Sequence, residues 1–256
     1  MNRLSKETFG VARFFMAMAV FFCHVFEQFN SFGFLFVSVF FFMSGYGMES
    51  SKLRMKALVR LVPYILFFGW FSCIYFIFYY VSPYPSSWFF VVYFVVMVLY
   101  RLIPSFNGLL VSFLLLALFF ILLGFQFGWC ASYGAFLFGV FYAKHPSSFT
   151  LKSTLNFLPL IAFFFLRFEL FAWGLLPLFC WIVLSLSSLK FFRPISCIGR
   201  YTFFFYCVHC FALGAFGVTW TLGGSPEFWG VLLAFSLSVF LSVFFKDYLF
   251  KYPKVS

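Results

Sequence analysis

The chain has 256 residues, 65% of them hydrophobic and only 9% charged, with 51 phenylalanines and a formal net charge of +11. A soluble domain carries about 25% charged residues, so there is too little charge here to cover a water-facing surface, and the lipid bilayer is the expected solvent. The cations sit in small groups between apolar stretches rather than in one run, which argues against a nucleic-acid partner.

The opening MNRLSKETFGVAR leads into an apolar stretch long enough to stay in a membrane. No small-residue cleavage site follows it, so no cleaved signal peptide is expected. Breaks at Gly, Pro, Ser and charged residues divide the chain into ten candidate spans: roughly 9–27, 33–48, 58–81, 87–104, 108–124, 127–143, 153–167, 170–189, 200–220 and 228–249. The stretch 155–189 is too long for one helix and carries only Arg167 and Glu169, so it reads as a hairpin of two spans. The expected fold is therefore an all-α integral membrane protein, a bundle of about ten transmembrane helices forming a single multi-pass domain over 1–256. With both termini cytoplasmic, all of the 17 Lys and Arg residues except Arg167 fall on the inner side. That asymmetry fits the positive-inside rule and a plasma or inner membrane location.

Ionisable groups inside spans are costly and therefore candidates for function. The first span reads RFFMAMAVFFCH over residues 13–24. Eleven residues make three helical turns plus about 20°, so Arg13 and His24 share one face about 16 Å apart. Glu27 lies one turn beyond His24 and can orient its imidazole. Otherwise, Arg13 simply snorkels to the interface and His24 bonds a neighbouring helix. Arg54 and Lys56 are ordinary inner-face cations taken singly, whereas Arg60 falls within the start of the third span. His209 lies in the ninth span, in YTFFFYCVHCF. Cys207-x-x-Cys210 lacks the ligand number of a zinc site and the setting of a redox motif, so no metal is expected and these cysteines read as packing residues. The seven cysteines imply no disulfide framework. His145, in KHPSS, reads as solvated.

In their order along the chain these segments resemble acyltransferase family 3, the integral-membrane O-acyltransferases. The resemblance is carried by the Arg13-x10-His24 spacing and by FLFVSVFFFMSGYGM with Ser44, Gly45 and Tyr46. It continues in KALVRLVPY with Arg60, SWFFVVYFVVMVLYRLIP, FLFGVFYAK, and IGRYTFFFYCVHCF ending at His209. The family's second arginine, three residues before Arg60, is here Ala57, with Lys56 and Arg54 close by.

The resemblance implies acetyl-CoA as a co-substrate, held by its phosphates near Arg13, Arg54, Lys56 and Arg60 at the cytoplasmic side. The acetyl group passes to a hydroxyl of an outward-facing glycan or lipid-linked saccharide. His24 is then the general base or first acyl acceptor, Glu27 orients it, and Ser44 and His209 support the site. The alternative is a transporter or flippase for an anionic or glycan substrate that uses the same arginines and histidines. Its expected mark, a pair of broken helices in corresponding halves, is not evident in the sequence.

Overall fold

A computed structural model describes residues 4–26, 32–51, 87–123, 128–159, 168–218 and 227–249. Among them all regular structure is helical and no strand occurs. Helix α1 (Lys6–Val25) begins at Ser5, whose backbone is extended and whose Oγ accepts the Thr8 N–H at 3.1 Å, with Glu7 in the first turn. The cap satisfies a donor that every helix start leaves open, and the carboxylate complements the positive end of the helix dipole. There follow α2 (Gly33–Ser51), α3 (Ser87–Leu102), α4 (Phe106–Leu123) and α5 (Gly128–Lys144). A 3-10 turn at Pro146–Ser148 and the five-residue α6 (Leu151–Leu155) lead to α7 (Phe168–Ser187). An 11-residue 3-10 segment, Lys190–Arg200, precedes α8 (Thr202–Ala215), and α9 (Phe228–Phe244) runs into a π-helical turn, Phe245–Leu249.

Eight of the ten predicted spans coincide with a helix. The span 58–81 lies outside the described residues, and 153–167 is described only to 159, with α6 at its start, so the expected 155–189 hairpin is not described as a pair. Length is where the helices depart from expectation. Among the described residues three are long and apolar enough to cross a membrane: Lys6–Val25, Gly33–Ser50 and Phe228–Leu249. A fourth joins them if Gly174–Ser187 and Lys190–Arg200, bent by 104°, are taken as one span.

The shortfall has local causes. Helix α8 is expected to reach residue 220 but stops at Ala215, because Gly217 turns left-handed at φ +62°. The Val218 N–H then reaches back to the Leu213 carbonyl at 3.0 Å and the Gly217 N–H to Gly214 at 3.1 Å. This paired closure is the usual glycine stop of a helix. Its 14 residues rise about 21 Å, against about 30 Å of hydrocarbon.

The core lies between α1, α2, α5 and α8, with Phe41, Phe42, Phe136 and Val140 wholly buried. Helices α2 and α5 cross without side chains between them. A Cβ on Gly45 would collide with the Phe136 carbonyl, and one on Gly139 with the Phe42 carbonyl. Small residues let helices approach this closely where no water drives them together. Two polar pairs bridge the helices: Tyr100 donates to Glu49, and Ser112 pairs with the Tyr133 hydroxyl at 2.6 Å. Outward faces are oily. Val111, Leu114, Leu115 and Leu118 of α4 and Leu233, Phe240 and Phe244 of α9 are exposed, the pattern of a chain whose solvent is lipid.

The segment Lys190–Arg200 reads in sequence as a plain connection, yet it is an ordered 3-10 helix lying against the start of α1. A Cβ on Gly199 would strike the Gly10 backbone, and one on Gly10 would meet the Ser196 carbonyl at 2.6 Å. The nearby Arg193–Glu7 pair, 3.6 Å apart and about 60% exposed on both sides, adds little. The backbone crossing is what sets where Arg200 emerges.

Candidate functional site

Helices α1 and α8 pack side by side and carry matching residues at two levels. At the lower level a cavity of ≈ 210 Å³ is lined by Arg13 of α1, Ser44 of α2, Tyr93 of α3, Arg200 at the end of the 3-10 segment, and Thr202 and Tyr206 of α8. The Ser44 and Thr202 hydroxyls give their protons to the Phe40 and Gly199 carbonyls, both at 2.8 Å, and Ser44 also bonds Tyr93. Arg200 donates to the Tyr201 hydroxyl at 2.6 Å and lies over that ring at 4.7 Å. Tyr201 in turn donates to Asp247 at 2.9 Å, which ties the start of α8 to the π-helical turn after α9. Among the described residues neither Arg13 nor Arg200 has a carboxylate within ion-pair distance. Two exposed guanidinium groups on one cavity give it donors of the kind that hold an anionic group.

The upper level holds two imidazoles. His24 on α1 and His209 on α8 lie with ring centroids 5.2 Å apart, tilted by 37°. His209 is 1% exposed, with Phe205 stacked on it at 6.1 Å and Phe21 at 6.5 Å. His24 is half-buried. The Nδ1 of His209 is 2.6 Å from the Tyr206 carbonyl. A carbonyl only accepts, so Nδ1 carries the proton and Nε2 presents a lone pair in the neutral ring. That lone pair faces Cys210, whose Sγ is 3.2 Å away.

The helix rise puts the two levels about 16 Å apart on α1, from Arg13 to His24, and about 10 Å apart on α8, from Thr202 to His209. Tyr206 lines the lower cavity and holds His209 one turn above it, so the two levels share one residue.

Of the residues singled out in the sequence, Arg13 and Ser44 meet in the cavity and His24 and His209 meet above it. Glu27, Arg54, Lys56 and Arg60 lie outside the described residues. His145 is exposed at the end of α5, against the Phe141 ring. Tyr93 and Thr202 were not singled out, and Arg200 entered only as part of IGRYTFFFYCVHCF. Arg200 carries a legible signal, since Arg200-x8-His209 echoes Arg13-x10-His24; Tyr93 carries none. Cys210, read in the sequence as a packing residue beside Cys207, instead faces an imidazole.

Three potential metal ligands also gather here. One atom each from His24, His209 and Cys210 lie within 4.8 Å of one another. A closed zinc site takes four, a catalytic one three plus water. A second cavity of ≈ 240 Å³, between Phe106, Phe113, Phe138 and Phe157, has an entirely apolar lining and no chemistry to offer. No protein-family description, curated protein or solved structure matches the chain.

Proposed function

We propose that this protein is a membrane-embedded O-acyltransferase of the kind acyltransferase family 3 represents. It moves an acetyl group from acetyl-CoA on the cytoplasmic side to a hydroxyl of an outward-facing saccharide, and no metal takes part. One observation carries the reading: Arg13 of α1 and Arg200, two residues before α8, meet in a common cavity, and the same two helices bring His24 and His209 together about 10 to 16 Å above it. A donor with a multiply charged head and a thioester at the end of a long neutral arm matches that two-level arrangement.

The cavity, at ≈ 210 Å³, suits the phosphate-bearing end of such a donor rather than the whole molecule. Arg13 and Arg200 bind that end, and Ser44, Tyr93 and Thr202 line it. Arg54, Lys56 and Arg60 are the further cations this reading assigns to the donor. His24, the more exposed imidazole, takes the proton of the acceptor hydroxyl, and Glu27 orients it. The full bundle is about ten spans with both termini on the donor side, in the plasma or inner membrane.

The test is acetyl-CoA-dependent thermal protection of the purified protein, paired with O-acetyl content of surface glycan in a host lacking its own copy. Protection together with acetylation supports the reading. A well-folded protein that ignores acetyl-CoA, or a His24→Ala variant that acetylates normally, overturns it.

A further inference from the structure

We propose that Cys210 is a covalent acyl carrier: it takes the acyl group from the donor before the acceptor does, with His209 as its base. The proposal rests on the acyltransferase reading and adds an intermediate that the reading does not require.

The geometry is that of an activated nucleophile. Cys210 Sγ is 3.2 Å from His209 Nε2, and His209 Nδ1–H is fixed on the Tyr206 carbonyl at 2.6 Å. With Nδ1 protonated, Nε2 can only accept, so the thiol donates to it. Nucleophile, base and the group that orients the base therefore stand in a row. The row is enclosed: His209 is 1% and Cys210 5% exposed. Phe21 and Phe205 against the imidazole keep water from an acyl group held there. A nitrogen of the second imidazole, His24, lies within 4.8 Å of the same sulfur. His24 is half-buried, so it stands on the side from which an acceptor can come.

Two imidazoles around one thiol divide into two half-reactions. In the first, His209 Nε2 takes the Cys210 proton as Sγ attacks the thioester carbonyl carbon. The bond from that carbon to the donor sulfur breaks, and the departing thiolate recovers the proton from His209. The products are an acyl-Cys210 thioester and the free donor thiol. One thioester replaces another, so the acyl group keeps its transfer potential. In the second, His24 takes the acceptor hydroxyl proton as the oxygen attacks the same carbonyl. The carbon–Sγ bond breaks, and the proton held by His24 returns to Sγ. The products are the ester and the original thiol. Nothing is oxidised or reduced. The arrangement also separates the roles of the histidines: the buried one serves the thiol and the half-exposed one serves the acceptor.

The experiment gives purified full-length protein acetyl-CoA labelled in its acetyl group, without acceptor, and locates the label by peptide mass spectrometry. Label is expected on Cys210, released by neutral hydroxylamine as a thioester should be. It should accumulate in His24→Ala, where only the second half-reaction is blocked, and persist in Cys207→Ala, a buried cysteine on the same helix. Transfer to glycan should fall at least about 10²-fold in Cys210→Ala. Cys210→Ser, which keeps size and a hydroxyl, guards against a folding artefact and should retain slow transfer with a hydroxylamine-resistant label. Label on His24 in place of Cys210, or a wild-type rate in Cys210→Ala, overturns the carrier but leaves the acyltransferase reading standing. Wild-type protein that neither binds nor uses acetyl-CoA ends both. Stoichiometric zinc in the purified protein, lost equally from the His24, His209 and Cys210 alanine variants, also overturns the carrier, because the thiol would then be a metal ligand.

Discussion

Helix pair α2–α5 and helix pair α1–α8 solve the same packing problem in opposite ways. In the first, Gly45 and Gly139 bring backbone onto backbone, and the surrounding Phe41, Phe42 and Phe136 are wholly buried. In the second, rings stand between the helices, with Phe21 and Phe205 at 5.8 Å, and below them a cavity remains. Close packing by small residues leaves no room for a ligand, whereas packing through large rings leaves gaps that polar groups can line. The seam of α2–α5 is therefore structure, and the propped interface of α1–α8 is where ionisable residues can be kept. Substitutions in the two pairs should accordingly fail in different assays.

The largest expected effect is at the upper level. His24→Ala should insert normally and keep acetyl-CoA protection, because the lower cavity is about 16 Å away, yet lose about 10²- to 10⁴-fold in transfer. Glycan acetylation at matched protein level checks it. A seam substitution should do the reverse. Gly139→Leu forces a side chain into the Phe42 carbonyl and should cost about 1–3 kcal/mol or more of stability, with the surviving folded fraction fully active. Thermal unfolding in detergent against specific activity per folded molecule separates the two, and a folded but inactive Gly139→Leu would mean that the seam shapes the site directly.

At the lower level, Arg13→Gln or Arg200→Gln should raise the acetyl-CoA concentration for half-maximal rate about tenfold, about 1.4 kcal/mol, with little change at saturation. Lys190→Gln, on the exposed part of the 3-10 segment, should do nothing. Equal effects of Arg200 and Lys190 would reduce Arg200 to a topology residue. The smallest effect belongs to Ser132, whose buried Oγ has no hydrogen-bond partner among the described residues. Ser132→Ala removes an unsatisfied hydroxyl and should stabilise by up to about 1 kcal/mol without touching activity.

Helix positions were legible because apolar runs and their Gly, Pro and charge breaks set both the lipid-facing stretches and their ends. Helix lengths were not. The stop at Gly217 depends on one left-handed residue in GAFG, which hydropathy reads as more span. The bend of 104° after Ser187 likewise has no hydropathic mark. At the site, Arg13 and His24 announced themselves as charges in an apolar helix. Tyr93 did not, since one tyrosine among 14 looks like any other until the fold brings it beside Ser44. The contact of Cys210 with the His209 ring was not legible for a related reason. Spacing to Cys207 is visible along the chain, but a sulfur facing the neighbouring residue's ring depends on rotamers, which a sequence does not display.

The glycine seam has a mechanical consequence as well. An interface made of side chains can yield by rotamer changes, and an interface made of two main chains cannot. Where Gly45 meets the Phe136 carbonyl and Gly139 the Phe42 carbonyl, α2 and α5 touch through main chain that no rotamer change can relax. The contact of α9 with α1 and α8 is of the other kind: Phe235 packs its ring on Phe21 and Phe205, where rotamer changes can take up a displacement.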